Sequence, residues 1–397
     1  MAWPPAKSGP RQLIRARGPW PAGTRCVRML ERMSSLPADP RPSRSRVNSL
    51  DAARGVMLIL SVSAEAVLAP RPAAFVHTKW VGLHYYDWIF PLFVALSGCG
   101  MAFAFRSGVN WRRNARRALV LILAGLAYNY VVAPERGLAQ LRVTGVLQMY
   151  AALVVLVALL HRFLRTAGQW AVFTLVWSVA LTLYWWAISR GCTGGMPQPT
   201  CNPTLGIDGV VGLDHLYRLG ARGFEPEGVL GILGALSTAA AGVTAGHLLK
   251  APGEHRHRTA QLLVWTAITA GVGVALWRVV PGLKWLWTPS YGLVTATAGL
   301  ALLALLYWLV DEGPLAGLMV RLSHPLRALG RNSLLVYFGS HVVMMLLLRV
   351  GDPALPYRMA NWFTWTGHPY VAWVVVSVLA WWALALVLDR RRVYIRA

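Results

Sequence analysis

A helix that crosses a hydrocarbon core of about 30 Å needs roughly 20 mostly apolar residues. Runs of near that length recur along this chain at about 51–70, 85–105, 115–133, 143–161, 170–189, 228–249, 260–280, 290–310, 332–349 and 369–388. Their spacing predicts an all-α fold, a polytopic transmembrane bundle of about ten helices. A shorter stretch at 314–330 would add an interfacial helix.

Composition agrees with this reading. Of 397 residues 56% are apolar and 14% charged, and the mean hydropathy is +0.47, which excludes an ordinary soluble domain. Lys and Arg number 39 against 15 acids, a balance that would suggest nucleic acid if the basic residues formed a patch. Instead they lie between the apolar runs. With the amino terminus inside, 27 of the 39 fall on the cytoplasmic side and 11 on the other, with Arg54 inside the first run. That asymmetry predicts both termini cytoplasmic. Residues 1–47 hold ten basic residues, much Pro and Ser and no apolar core, and read as a disordered cytoplasmic tail. Met29 and Met33 offer alternative starts within that tail. Residues 48–392 would form the membrane domain and 393–397 its cytoplasmic end.

Cys26, Cys99, Cys192 and Cys201 make no CxxC pair and no Cys/His cluster, so no metal site is expected. Cys192 and Cys201 share the segment CTGGMPQPTC in an outward loop, where a disulfide and two unpaired thiols are both open. No GxxxxGK[ST] or GxGxxG run supports nucleotide hydrolysis or hydride transfer.

Charges inside a membrane helix are expensive and usually face a partner or water. The first helix carries three. Asp51 and Arg54 are three apart, on one face, and suit a local ion pair. Glu65 lies ~21 Å further along, and it needs a partner from elsewhere or contact with outer water. The next stretch, FVHTKWVGLHYYDWIFPLFVALSGCGMAF, brings His77, His84 and Asp87 within eleven residues. An imidazole can move a proton near neutral pH or carry an acyl group, and a carboxylate on its other nitrogen would fix its tautomer.

Several segments together resemble one family: RVNSLDAARG (46–55), HTKWVGLHYYDWIFPLFVALSG (77–98), LRVTGVLQMYA (141–151), FEPEGVLG (224–231), LWTPSYGLVTA (286–296) and GRNSLLVYFGSHVV (330–343). This pattern is similar to the heparan-alpha-glucosaminide N-acetyltransferases. The resemblance implies a multi-pass enzyme, here of bacterial type and cell-membrane location. It would move acetyl from cytosolic acetyl-CoA, as co-substrate, to an amino sugar or glycan across the bilayer. It also implies that His77 is the active-site residue, with Trp80, Gly82, Asp87, Phe90 and Pro91 matching the surrounding motif. One departure is that Glu65 stands where the family pattern has an asparagine, with one extra residue before His77. Acceptor identity is therefore open between an amine and a hydroxyl.

Catalytic candidates are thus His77, Glu65 and Asp87, with Asp87 serving either to orient His77 or to start its helix. A cofactor with phosphates and a pantetheine arm needs cationic and amide donors, for which Asn332, Ser333, Tyr337, Arg142 and Gln148 are candidates. Glu225, Glu227, Tyr291 and Trp80 are candidates for the acceptor, while Trp287 is expected as an interfacial anchor. The basic cluster at 106–117 suits a positive-inside loop, with attraction of the anionic co-substrate or lipids secondary. The expected partners are the bilayer, acetyl-CoA and a glycan, not nucleic acid, and a homo-oligomer is left open. Two rival functions are an O-acetyltransferase for a cell-envelope glycan and a proton-coupled transporter using Glu65, His77 and Asp87.

Overall fold

The computed structural model describes residues 47–251 and 255–394. The basic tail therefore lies outside the described residues, apart from Val47. All ten predicted runs are helical. They are α1 (Asn48–Ala66), α2 (Tyr85–Ala104), α3 (Trp111–Val132), α4 (Val146–Leu160), α5 (Ala167–Ser189), α7 (Val229–Lys250), α8 (His255–Val279), α9 (Pro289–Leu306), α12 (Ser333–Leu347) and α14 (Pro369–Arg390). Four short helices fill connections: α6 (Thr204–Asp208), α10 (Ala316–Leu322), α11 (His324–Arg331) and α13 (Leu355–Asn361). Seven of the ten are long and apolar enough to cross a membrane. The others are α4 and α12, at 15 residues each, and α1, which carries Asp51, Arg54 and Glu65.

Boundaries differ from the sequence expectation for identifiable reasons. Helix α3 begins four residues early because Asn110 caps it, its side-chain oxygen accepting from Arg113 N at 3.0 Å. Helix α4 begins late because Gly145, at φ +154°, is not helical. The stretch 314–330 forms two helices instead of one interfacial helix. Of these, α11 is drawn into the bundle and packs on α1, where Gly330 meets the Asp51 carbonyl and Gly55 the Leu326 carbonyl.

Helix α7 sits at the centre, and its run of Gly, Ala, Ser and Thr is the reason. Small residues on every face let backbones approach on all sides. Its main partner is α2, and a methyl group on Gly242 would collide with the Ala95 carbonyl oxygen, one on Gly98 with that of Ala239. By contrast α5 and α14 are equally apolar yet present Val172, Val176, Val371 and Leu379 outward, as lipid-facing helices do.

Asp51 and Arg54 make the expected local contact at 3.9 Å, and Asp51 also receives Arg331 at 3.6 Å. The start of α1 is capped from a distance, with Asp311 accepting from Ser49 N at 2.9 Å. Cys192 and Cys201 are disulfide-bonded in the loop between α5 and α7, and Cys99 is free and buried.

Candidate active site

The segment between α1 and α2 carries His77, and three neighbours fix it. Its backbone pairs with the α8–α9 connection at Val81 and Leu283, and Gly82 N donates to Gly282 O at 3.4 Å. That pairing needs Gly82 at φ +105°, which a side chain would resist. Trp285 Nε1 donates to Thr78 O at 2.9 Å, and Trp80 Nε1 to Pro197 O at 2.8 Å, tying the segment to the disulfide-bearing loop.

His77 Nδ1 donates to Asp87 Oδ1 at 2.7 Å. The other oxygen, Oδ2, accepts from Thr78 N at 3.0 Å and from His84 N, the residue before α2, at 2.9 Å. The two roles proposed for Asp87 are thus performed at once, one by each oxygen. Lys284 Nζ stands 3.7 Å from Oδ1 and 4.1 Å from the Trp285 ring centre. Tyr291, fully buried, donates from its hydroxyl to the Asp87 carbonyl at 2.7 Å. The His77 ring meets Tyr86 edge-on at 4.5 Å and Trp285 at 5.5 Å.

Burial pushes the His77 pKa below 6.5. The Lys284 charge pushes it further down, and the hydrogen bond to Asp87 opposes both. Burial likewise lowers Lys284 to about 8. At neutral pH the imidazole is therefore neutral, with its Nδ1 proton on Asp87 and the Nε2 lone pair available. Such a nitrogen can take a proton or attack an acyl group.

Glu65 finds its partner across the bundle: Oε2 accepts from Tyr86 Oη at 3.0 Å and lies 2.8 Å from His341 Nδ1 on α12. At the same end as His77, Arg142 Nη2 binds both Glu225 and Glu227. Glu225 is fully buried and also accepts from Tyr217 N at 2.6 Å. The Arg142 guanidinium covers the Tyr217 ring, which packs at 6.0 Å on Trp285.

The cofactor candidates are not gathered together. Arg142 is engaged by carboxylates at the His77 end. Asn332, fully buried, and Ser333 lie where α11 meets α12 at the opposite end. Tyr337 packs on Phe93 at 5.0 Å. Gln148 lies against Gly125, its amide enclosed and without a partner among the described residues. Trp287 is not an interfacial anchor: it is 3% exposed and donates to Thr238 Oγ1 at 3.1 Å. Its location beside small residues of α7, not its type, decides this.

Sequence reasoning missed Tyr86 and Trp285, which flank His77, and the contacts of Lys284 and His341. Only Tyr86 carried a signal, since it adjoins Asp87. Sequence reasoning did not foresee that Lys250 joins Arg54 and Arg117, the last residue of the 106–117 basic cluster, at the opposite end. Arg54 Nη2 donates to Leu96 O at 3.2 Å, Lys250 Nζ to Ala102 O at 2.6 Å, and Arg117 Nε is enclosed without a partner among the described residues. No group of three or more metal-ligating side chains occurs among the described residues.

A polytopic helical membrane protein with a carboxylate-held imidazole at one end of its bundle is the class these features define. Comparison with known proteins narrows it. Residues 46–195 match the family model described as heparan-alpha-glucosaminide N-acetyltransferase, catalytic. The human heparan-alpha-glucosaminide N-acetyltransferase is 25% identical over 428 aligned residues, covering 91% of this chain and 60% of that protein. The mouse protein of the same name is 26% identical over 371, covering 77% and 55%. The resemblance read from the motifs is thus upheld, and the chain spans somewhat over half the length of these relatives.

Proposed function

We propose that this protein is a membrane-embedded acetyltransferase that moves acetyl from cytosolic acetyl-CoA to an amino sugar or glycan on the far side of the bilayer. The observation that carries this reading is the His77–Asp87 pair at 2.7 Å, seated within the stretch that matches the catalytic family model. Asp87 holds the Nδ1 proton, so Nε2 acts as the base. It accepts the proton of the acceptor nitrogen as that nitrogen bonds to the acetyl carbon and the C–S bond breaks. The same lone pair could instead take the acetyl group first and pass it on. Trp285 and Tyr86 hold the ring on two sides, and its side chain stays 35% exposed.

The co-substrate is highly anionic, and the partly buried cations Arg54, Arg117 and Lys250 at the end opposite His77 suit its phosphates better than Arg142 does. With the topology predicted from the basic-residue count, that end is cytoplasmic. Asn332 and Ser333 lie at the same end. At the other end Trp80, Tyr217 and the Glu227 carboxylate border the space an acceptor would use, with Glu225 holding Arg142 from within and Tyr291 acting from beneath through Asp87.

Sealed inside-out vesicles supplied with labelled acetyl-CoA test the reading. Label should appear on lumenal hexosamine, and H77A should abolish it without loss of protein or of acetyl-CoA binding. Solute flux without acetyl transfer, or normal turnover by H77A, refutes it. Label trapped on the protein in the absence of acceptor, lost in H77A, distinguishes the acetyl-imidazole route from direct transfer.

A further inference from the structure

The turn between α4 and α5, at the end of the bundle opposite His77, borders two spaces of opposite character. Leu164 opens a groove of about 560 Å³ along the outer face of α5, running from Gly168 to Ala180 between Val172, Phe173, Val176 and Trp177. Gln169 beside it turns its Oε1 back to Arg165 N at 2.7 Å and Thr166 N at 3.1 Å, which leaves the groove apolar. Its wall is fixed, because Trp177 Nε1 donates to Leu233 O of α7 at 2.9 Å and the indole stacks on Phe173 at 5.9 Å. A methyl group on Gly168 would meet nothing within 4 Å, so the end nearest the turn is open. At 1.5 Å per residue the groove is roughly 18 Å long. Half of a hydrocarbon core is about 15 Å.

On either side of Leu164, Arg162 and Arg165 line a second cavity, of about 320 Å³, together with Gly108, Trp111 and His161. Both arginines are exposed. His161 is 4% exposed, and its Nδ1 has no hydrogen-bond partner among the described residues. The two segments that form this cavity are cationic without compensation. Residues 106–117 carry five arginines, and no acid occurs between Asp87 and Glu135 or between Glu135 and Asp208. An acyl chain alone would fill the groove and leave the arginines unmatched, whereas a free anion would match the arginines and leave the groove empty. An anionic amphiphile does both.

We propose that this turn binds an anionic glycerophospholipid, its phosphate between Arg162 and Arg165 and one acyl chain along α5. The proposal is independent of the acetyl-transfer reading. On the topology predicted from the basic residues the turn faces the cytoplasm, the leaflet in which anionic lipids attract such clusters. A zwitterionic lipid offers the same chains and phosphate, but its own ammonium group offsets the charge the arginines recognise. Charge therefore sets the preference and the groove sets the affinity for chains.

The test places the full chain in nanodiscs of mixed phosphatidylglycerol and phosphatidylcholine and counts the lipid retained after extraction by native mass spectrometry. Wild type should retain phosphatidylglycerol at least about tenfold over phosphatidylcholine. R162Q/R165Q should remove most of that preference, and R390Q/R391Q, with the same loss of charge elsewhere, should keep it. G168L fills the groove without altering charge and should lower retention of both lipids. Equal retention of the two lipids by wild type overturns the proposal, even if no variant accumulates. An equal loss in R390Q/R391Q also overturns it, because bulk charge alone would then be responsible, as does unchanged retention in G168L. A raised KM for acetyl-CoA in R162Q/R165Q with lipid retention intact would assign the cavity to the co-substrate instead. A dimer that G168L dissociates with lipid retention intact would assign the groove to a second copy of the chain, and either result sinks the lipid site.

Discussion

Replacing Asp87 by asparagine exchanges one carboxylate oxygen for an NH2 group and, by the hydrogen-bond pattern, should reverse the imidazole. The Oδ2 position accepts from two backbone N–H groups, Thr78 and His84. An amide nitrogen cannot face two donors, so the asparagine carbonyl oxygen must take that position. Its NH2 then points at His77 Nδ1, which can only accept from it. The ring proton moves to Nε2, and the lone pair required of a base or nucleophile is gone. A misassigned tautomer of this kind costs about 10⁴-fold in kcat where it has been isolated, or about 5.5 kcal/mol at 1.36 kcal/mol per decade. Because the start of α2 keeps both backbone bonds, D87N should retain its fold. The assay is initial-rate acetyl transfer in proteoliposomes, alongside the thermal midpoint in detergent. We expect D87N to fall by about 10³- to 10⁴-fold with a nearly unchanged midpoint. D87A, which deletes both backbone acceptors as well, should lower the midpoint in addition. Retention by D87N of more than a tenth of wild-type kcat would refute the tautomer argument.

Three further outcomes follow from the same geometry. His77 must be neutral to act, so activity should be lost as pH falls through its lowered pKa. K284M, which removes the charge that depresses that pKa, should move the acid limb of kcat/KM to higher pH, and a downward shift would contradict it. G242A forces a methyl into the Ala95 carbonyl and should cost about 1–3 kcal/mol in an unfolding titration, whereas G271A, facing open space, should cost little. R142Q leaves the fully buried Glu225 without its cation, a loss on the order of 3–5 kcal/mol. It should reduce accumulation of folded protein, and E225Q should restore part of it.

Much of the architecture could be read directly because the bilayer imposes a length on every spanning element. Ten apolar runs became ten helices with ends within about five residues of those expected, two of them set by the local backbone geometry of Asn110 and Gly145. The pairing of His77 with Asp87 was legible as one of two alternatives, since Asp87 at the start of α2 could face either the imidazole or the helix N–H groups, and the structure shows both contacts. What could not be read was every contact made between distant segments. Lys284 and Trp285 reach His77 from the α8–α9 connection, some two hundred positions away. His341 reaches Glu65 from α12, and no local periodicity encodes either meeting. Arg142 misled for the same reason: a cation near a helix start suits a phosphate until two glutamates from another loop arrive beside it. Trp287 was misjudged because aromatic type alone does not distinguish an interface from a cleft beside small residues.

The seam between α2 and α7, where glycine lets one backbone rest on the carbonyls of another, has a mechanical corollary. Helices in such contact can neither rotate nor slide without first separating, so the pair acts as a stiff strut through the molecule. Any widening that admits the proposed thioester co-substrate would then be carried by α3, α5 and α14, whose outer faces are apolar and exposed. Turnover would in that case respond to the thickness and fluidity of the surrounding membrane, making the lipid a participant in the rate and not merely a container.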